Sequence, residues 1–145
     1  METDKKDKRT VLLARKTAFG NENTDFLFQM TDLTLLLTES GLETVNLLTN
    51  RNDIGLVLIN SDLDDYNGYV TTMMLRKLDE TIPIILLSNY VNHDSLRLAA
   101  LTGCTQLIQN PITRTEIEAI VMKYMNEYSE CSGNTEGIET IEKHS

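Results

Sequence analysis

Apolar residues in this chain gather in short runs separated by mixed stretches. The runs are "VLLA" (11–14), "LTLLLT" (33–38), "IGLVLI" (54–59), "IPIILL" (82–87) and "TQLIQ" (105–109). They lack strict polar alternation and are short for core helices. Such runs suit strands covered on both faces of a parallel sheet. Between them the period turns helical. Ile117, Ile120, Val121, Tyr124, Met125 and Tyr128 form one apolar stripe, and Thr113 with Glu116 predicts a capping box at its start, just after Pro111. Residues 69–78 place Val70, Met73, Met74 and Leu78 on one side, which predicts their burial. Residues 94–102 offer Leu96, Ala99 and Ala100 before a stop at Gly103, and residues 42–50 offer Val45 and Leu48. The first helical stretch, with Phe26, Leu27 and Met30, predicts a short or irregular helix.

A strand followed by a helix, repeated five times, predicts an α/β three-layer sandwich with right-handed crossovers around a parallel five-stranded sheet. Residues 1–8 read as a charged extension, 9–128 as the domain and 129–145 as a polar tail or linker. No internal repeat or second domain is visible.

Composition narrows the function classes. The chain has 145 residues, 41% hydrophobic and 24% charged, with no run near membrane-spanning length. A soluble, cytoplasmic protein without a membrane partner is expected, because the charged N-terminus lacks an export-signal core. The net charge of −9, from 22 acids and 13 bases, argues against direct nucleic-acid binding. Cys104 and Cys131 make no disulfide framework, and His93 and His144 lack metal-ligand spacing.

In an open parallel sheet, ligands bind beyond the carboxyl ends of the strands. Those ends carry Arg15 and Lys16, then Asn60, then Ser88 and Asn89, then Asn110 before Pro111. Asp62, Asp64 and Asp65 form an acidic loop above them.

Residues 9–127 resemble the receiver domain of bacterial two-component response regulators, the CheY-like family. "IGLVLINSDLDDYNGY" stands where that family has a strand, its phospho-acceptor aspartate, a loop and a turn into the next helix. "IPIILLSN", "LTGCTQLIQNPI" and "TESGLETVNLL" resemble three further family segments in order and spacing. The resemblance implies a flavodoxin-like strand order 2-1-3-4-5. It also locates the reactive positions, and most of them are altered. The phospho-acceptor position falls on Asn60, the acidic pair on Arg15 and Lys16, the lysine on Asn110 and the switch aromatic on Leu107. Only the hydroxyl position is kept, as Ser88.

Those substitutions change the chemistry. An amide is a very weak nucleophile, so Asn60 should form no acyl phosphate. The five positions sum to +2, from Arg15 and Lys16, where the family pattern gives about −2. Loss of Mg²⁺ binding is expected, leaving no cofactor. The acidic loop fails the EF-hand spacing, since counting back from Gly68 puts Leu63 first and Met74 twelfth. It reads as a solvated loop, or as an ion-pair partner for Arg15 or Lys16. The specific expectation is Arg15 with Asp62 or Asp64. Ser88 has no evident histidine base and reads as a polar strand end rather than a nucleophile. Deamidation of Asn60, before Ser61, would restore an acceptor but not the acidic pair or the lysine.

The function expected is that of a degenerate receiver. It is a phosphorelay signalling module and not an enzyme, and it acts through protein contact. Its partners would be a kinase, an output domain or a second copy, engaged through about residues 94–128. One alternative is an anion or nucleotide sensor using Arg15 and Lys16. Another is a receiver still phosphorylated on a nearby aspartate.

Overall fold

Each of the five apolar runs becomes a strand: β1 Thr10–Ala14, β2 Thr34–Thr38, β3 Ile54–Asn60, β4 Ile84–Ser88 and β5 Gln106–Gln109. The structure is a computed structural model that describes residues 8–16, 29, 31–63 and 65–125. The helices are α1 Gly41–Asn50, α2 Gly68–Leu78, α3 His93–Thr102 and α4 Arg114–Met125. The expected first helix around Phe26, Leu27 and Met30, the position of Tyr128, and both chain ends lie outside the described residues.

The strands pair in parallel in the order β2-β1-β3-β4-β5. The order reverses at β1, so the chain runs outward from β1 to β2 and then returns past it to β3. Such a reversal opens a crevice beyond the carboxyl ends of β1 and β3.

Alternation along the strands builds two cores. Leu13, Leu56, Leu58, Ile85 and Leu87 face α4, which contributes Ile117, Ile120, Val121 and Met125. Leu12, Val57, Ile59, Ile84 and Leu86 face the opposite side, with Leu75 of α2 and Ala99 of α3. β1, β3 and β4 are covered on both faces, as their sequences predict. The edge strands are not. Thr34 and Leu37 of β2 and Gln106 and Gln109 of β5 are exposed, because an edge strand has a neighbour on one side only.

The caps follow the sequence. Thr113 and Glu116 form the reciprocal capping box of α4, with Glu116 N–H donating to Thr113 Oγ1 at 3.1 Å and Thr113 N–H to Glu116 Oε1 at 2.9 Å. Asn92 and Ser95 make a second box at α3, and Gly103 ends that helix in the left-handed region at φ 87°.

The buried faces of α2 and α3 differ from expectation. α2 buries Thr71, Thr72 and Leu75, while Val70, Met73 and Leu78 are 40%, 46% and 48% exposed. The reason lies in the hydroxyls. Thr71 Oγ1 donates to Asn67 O at 2.9 Å and Thr72 Oγ1 to Gly68 O at 2.7 Å. A threonine satisfied by the preceding turn packs as a small apolar residue. Small residues also let helices approach closely, and a Cβ on Gly41 would collide with the Thr71 hydroxyl. α1 packs Val45 and Leu48 against the core as expected and also buries Gly41 and Thr44, whereas α3 buries Ala99 and Thr102 while Leu96 is exposed. Among the described residues, no helix is long and apolar enough to cross a membrane.

Candidate functional site

The parallel register brings the strand ends together. Ala14 pairs with Ile59, so Arg15 and Lys16 leave β1 beside Asn60 at the end of β3. Asn60 pairs with Leu87, which places Ser88 on its other side. Asn60 is 6% exposed and Ser88 5%. Arg15 N–H donates to Thr38 O at 2.9 Å, and its Nη1 nitrogen is buried.

Ser88 is engaged locally. Its hydroxyl donates to Tyr90 O at 2.8 Å and accepts from Tyr90 N–H at 3.2 Å, which closes a tight turn after β4. Asn110 joins the rim through its N–H, which donates to Ser88 O at 2.8 Å. A cis peptide links it to Pro111. Leu107 sits one strand away, paired with Leu86 and packed against the core on the α2 and α3 side.

The loop after β3 is held at both ends. Ser61 N–H donates to Leu87 O at 2.8 Å, and Gly68 N–H closes the loop on Ser61 O at 2.9 Å. Gly68 has to be glycine, since a Cβ there would collide with the Asn60 carbonyl. Lys16 Nζ lies 3.3 Å from Asp62 Oδ1. The specific expectation paired Arg15 with Asp62 or Asp64, within a broader one that gave these acids to Arg15 or Lys16; Asp62 pairs with Lys16. Asp64 lies outside the described residues.

Asp65 does something the sequence did not reveal. Its Oδ1 accepts from Gly41 N–H at 2.7 Å, and its Oδ2 accepts from Ser40 Oγ at 2.7 Å and from Leu42 N–H at 3.0 Å. The carboxylate thus caps α1 from another loop, where unpaired N–H groups and the helix dipole favour an anion. Bonds from the Leu42 N–H, the Ser40 hydroxyl and the Gly41 N–H hold its carboxyl well below the usual range. Ser40 is the N-cap of α1, and its Oγ accepts from Glu43 N–H at 3.0 Å. Nothing in the sequence linked it to Asp65, which stays solvent-exposed while it makes these bonds. Among the described residues, no group of three or more His, Cys, Asp or Glu side chains is placed to hold a metal ion.

The fold and the crevice define a receiver-type signalling module. The sequence model of the response regulator receiver domain matches residues 18–122, and the chain belongs to that family. A sensor-kinase receiver domain from Pseudomonas aeruginosa PAO1, solved with a magnesium ion in its active-site cleft, superposes with a TM-score of 0.72 at 17% identity, covering 81% of this chain and 98% of that one. A CheY-like receiver from Methanospirillum hungatei JF-1 gives 0.71 at 16% identity, covering 85% and 97%. The non-phosphorylated HemR receiver domain from Leptospira biflexa gives 0.69 at 19%, covering 81% and 94%. At these identities the likeness is one of fold. Comparison with curated protein sequences gives no match.

Proposed function

We propose that this chain is a receiver-type module that takes up no phosphoryl group and signals by protein contact from a fixed conformation. The observation that carries this is the chemistry beside Asn60. A neutral amide, 6% exposed, ends β3, with Arg15 and Lys16 on the adjacent strand end. A receiver phosphorylation site needs a carboxylate nucleophile and a cation to neutralise the phosphoryl oxygens. Magnesium seeks hard oxygen ligands, carboxylates first. The donor set here offers an amide and two cationic side chains, which does not fit that ion, and the acid above it, Asp62, is paired with Lys16.

The rest of the site supports a fixed conformer. Ser88 is committed to the Tyr90 backbone, Asp65 is clasped to α1, and an aliphatic Leu107 occupies the switch position. The contact face proposed for a kinase, an output domain or a second copy lies within residues 94–125. There Leu96, Leu98 and Leu101 are 50%, 43% and 74% exposed. The same range holds a groove of about 410 Å³ between β5 and α4, lined in part by Leu107, Ala119 and Tyr124.

Incubation with acetyl phosphate and MgCl₂, followed by intact mass and peptide mapping, tests this. No mass gain of one phosphate is expected. A stable acyl phosphate on any aspartate would overturn the proposal.

A further inference from the structure

We infer that the outer side of α1 and α2 is a docking surface for a cationic amphipathic helix of a partner protein. This surface lies on different elements from the 94–125 face and does not depend on what happens at Asn60.

The starting observation is that α2 is packed with its small hydroxylated residues inward. Thr71 and Thr72 are fully buried, whereas Val70 and Met73 are 40% and 46% exposed. Tyr66, one turn before Val70, is 46% exposed. Val70 and Met73 lie three positions apart on one side of α2, and Tyr66 stands just before its N-cap, Asn67. Leu42, at the start of α1, is 52% exposed. These residues are neighbours in space. Asp65, adjacent to Tyr66, binds the Leu42 N–H, and the Tyr66 Cβ lies against Gly41. Leu42, Tyr66, Val70 and Met73, four of the ten exposed large apolar side chains among the described residues, therefore fall on α1, α2 and the turn before α2. Contiguous apolar area of this kind on a water-soluble fold marks an interaction site.

Charge selects the occupant. A groove of about 470 Å³ at the edge of the patch is lined by Leu37, Thr38, Ser40 and the carboxylates of Glu39, Glu43 and Asp65, with no lysine or arginine among the described residues that line it. Asp65 is spent on the α1 N-terminus and one oxygen of Glu43 accepts from Thr38 Oγ1, which leaves Glu39 and the second Glu43 oxygen facing outward. An apolar ridge beside carboxylates complements a helix with apolar residues on one face and arginine or lysine at its margin. A second copy is disfavoured, because the same acids would meet across a two-fold axis and the chain carries −9 overall.

The test is an NMR titration of the ¹⁵N-labelled full chain at 150 mM NaCl. The probes are two synthetic helical peptides with a leucine face, one flanked by arginines and the other by glutamates. Saturable shifts centred on Leu42, Tyr66, Val70 and Met73 are expected with the arginine peptide, and binding about tenfold weaker or worse with the glutamate peptide. Val70→Ser with Met73→Ser, and separately Glu39→Lys with Glu43→Lys, should each weaken the arginine peptide about tenfold. Glu80→Lys with Glu118→Lys makes the same net-charge change elsewhere and should leave it unchanged. Thermal melts confirm that each variant is folded. The inference is overturned if the shifts map to residues 94–125, if the two peptides bind alike, or if the distant charge reversal weakens binding equally. Self-association of the chain that the apolar substitutions abolish would also overturn it, in favour of a second copy.

Discussion

The Asp65 carboxylate accepts a 2.7 Å hydrogen bond from the Gly41 N–H, tying the loop after β3 to the start of α1 across 24 positions of sequence. Gly41 allows this approach because it has no Cβ, and it sits against Tyr66 and Thr71 at the same point. One contact therefore fixes the helix start, the loop and the distance between α1 and α2.

Replacing Asp65 with alanine should lower stability at pH 7 by about 1 kcal/mol, the typical worth of a helix cap. The pH dependence carries a sign. The folded-state carboxyl lies below its ordinary value of about 3.9, so its contribution is fully present above that pH and is lost as pH falls through the folded value. The gap between wild type and Asp65→Ala should therefore be widest at neutral pH and narrow below about pH 4. Urea unfolding at pH 7 and pH 3 measures it, and a constant gap would contradict the assignment.

The Lys16–Asp62 pair is partly exposed, at 32% and 55% of the two side chains. Its coupling should be modest, below about 1 kcal/mol in a double-mutant cycle of Lys16→Met and Asp62→Asn. Adding NaCl to 1 M should shrink it further, because screening acts strongly on exposed charges. A coupling insensitive to salt would mean that the pair is more deeply shielded than these exposures allow.

Restoring the acceptor alone should not restore receiver chemistry. Asn60→Asp adds one carboxylate beside Arg15 and Lys16, and the cations neutralise it before a metal does. The expected result is no Mg²⁺-dependent change in thermal stability and no phosphate uptake from acetyl phosphate. The triple variant Arg15→Asp, Lys16→Asp, Asn60→Asp should gain Mg²⁺ binding by calorimetry. Uptake by the single variant would show that the two cations are not the barrier.

Arg76 joins three segments at the opposite end of the sheet. Its Nε donates to Gly103 O at 2.6 Å, its Nη1 to Ile82 O at 2.6 Å and Asp79 O at 3.1 Å, and its Nη2 to Thr105 Oγ1 at 3.2 Å. The planar fork of the guanidinium meets several acceptors at once, which an ammonium cannot reproduce. Arg76→Ala should cost about 3 kcal/mol in chemical denaturation, and Arg76→Lys should recover less than half of that. Full rescue by lysine would show that charge, rather than the fork, is what matters.

Much of the fold was legible from period and punctuation. The five runs gave the strands, Thr113 with Glu116 gave the start of α4, and Gly103 gave the end of α3. The α2 face was misread because hydropathy ranks threonine below methionine and valine. Once the Thr71 and Thr72 hydroxyls bond to Asn67 O and Gly68 O, that ranking no longer applies. The rim residues were legible as a set, since strand ends in a parallel sheet share one edge. Which cation reaches Asp62 was not, because side-chain reach depends on the path the backbone takes after β1.

The sequence by itself determined the strand and helix order, the family resemblance and the altered residue types at Asn60, Arg15, Lys16 and Asn110, because these depend on local period and residue chemistry. Tertiary structure alone decided that Asp65 caps α1, that Lys16 pairs with Asp62, and that Val70 and Met73 face outward. Those outcomes depend on which distant groups the parallel register brings within hydrogen-bonding distance, and hydrophobic patterning along the chain carries no record of that.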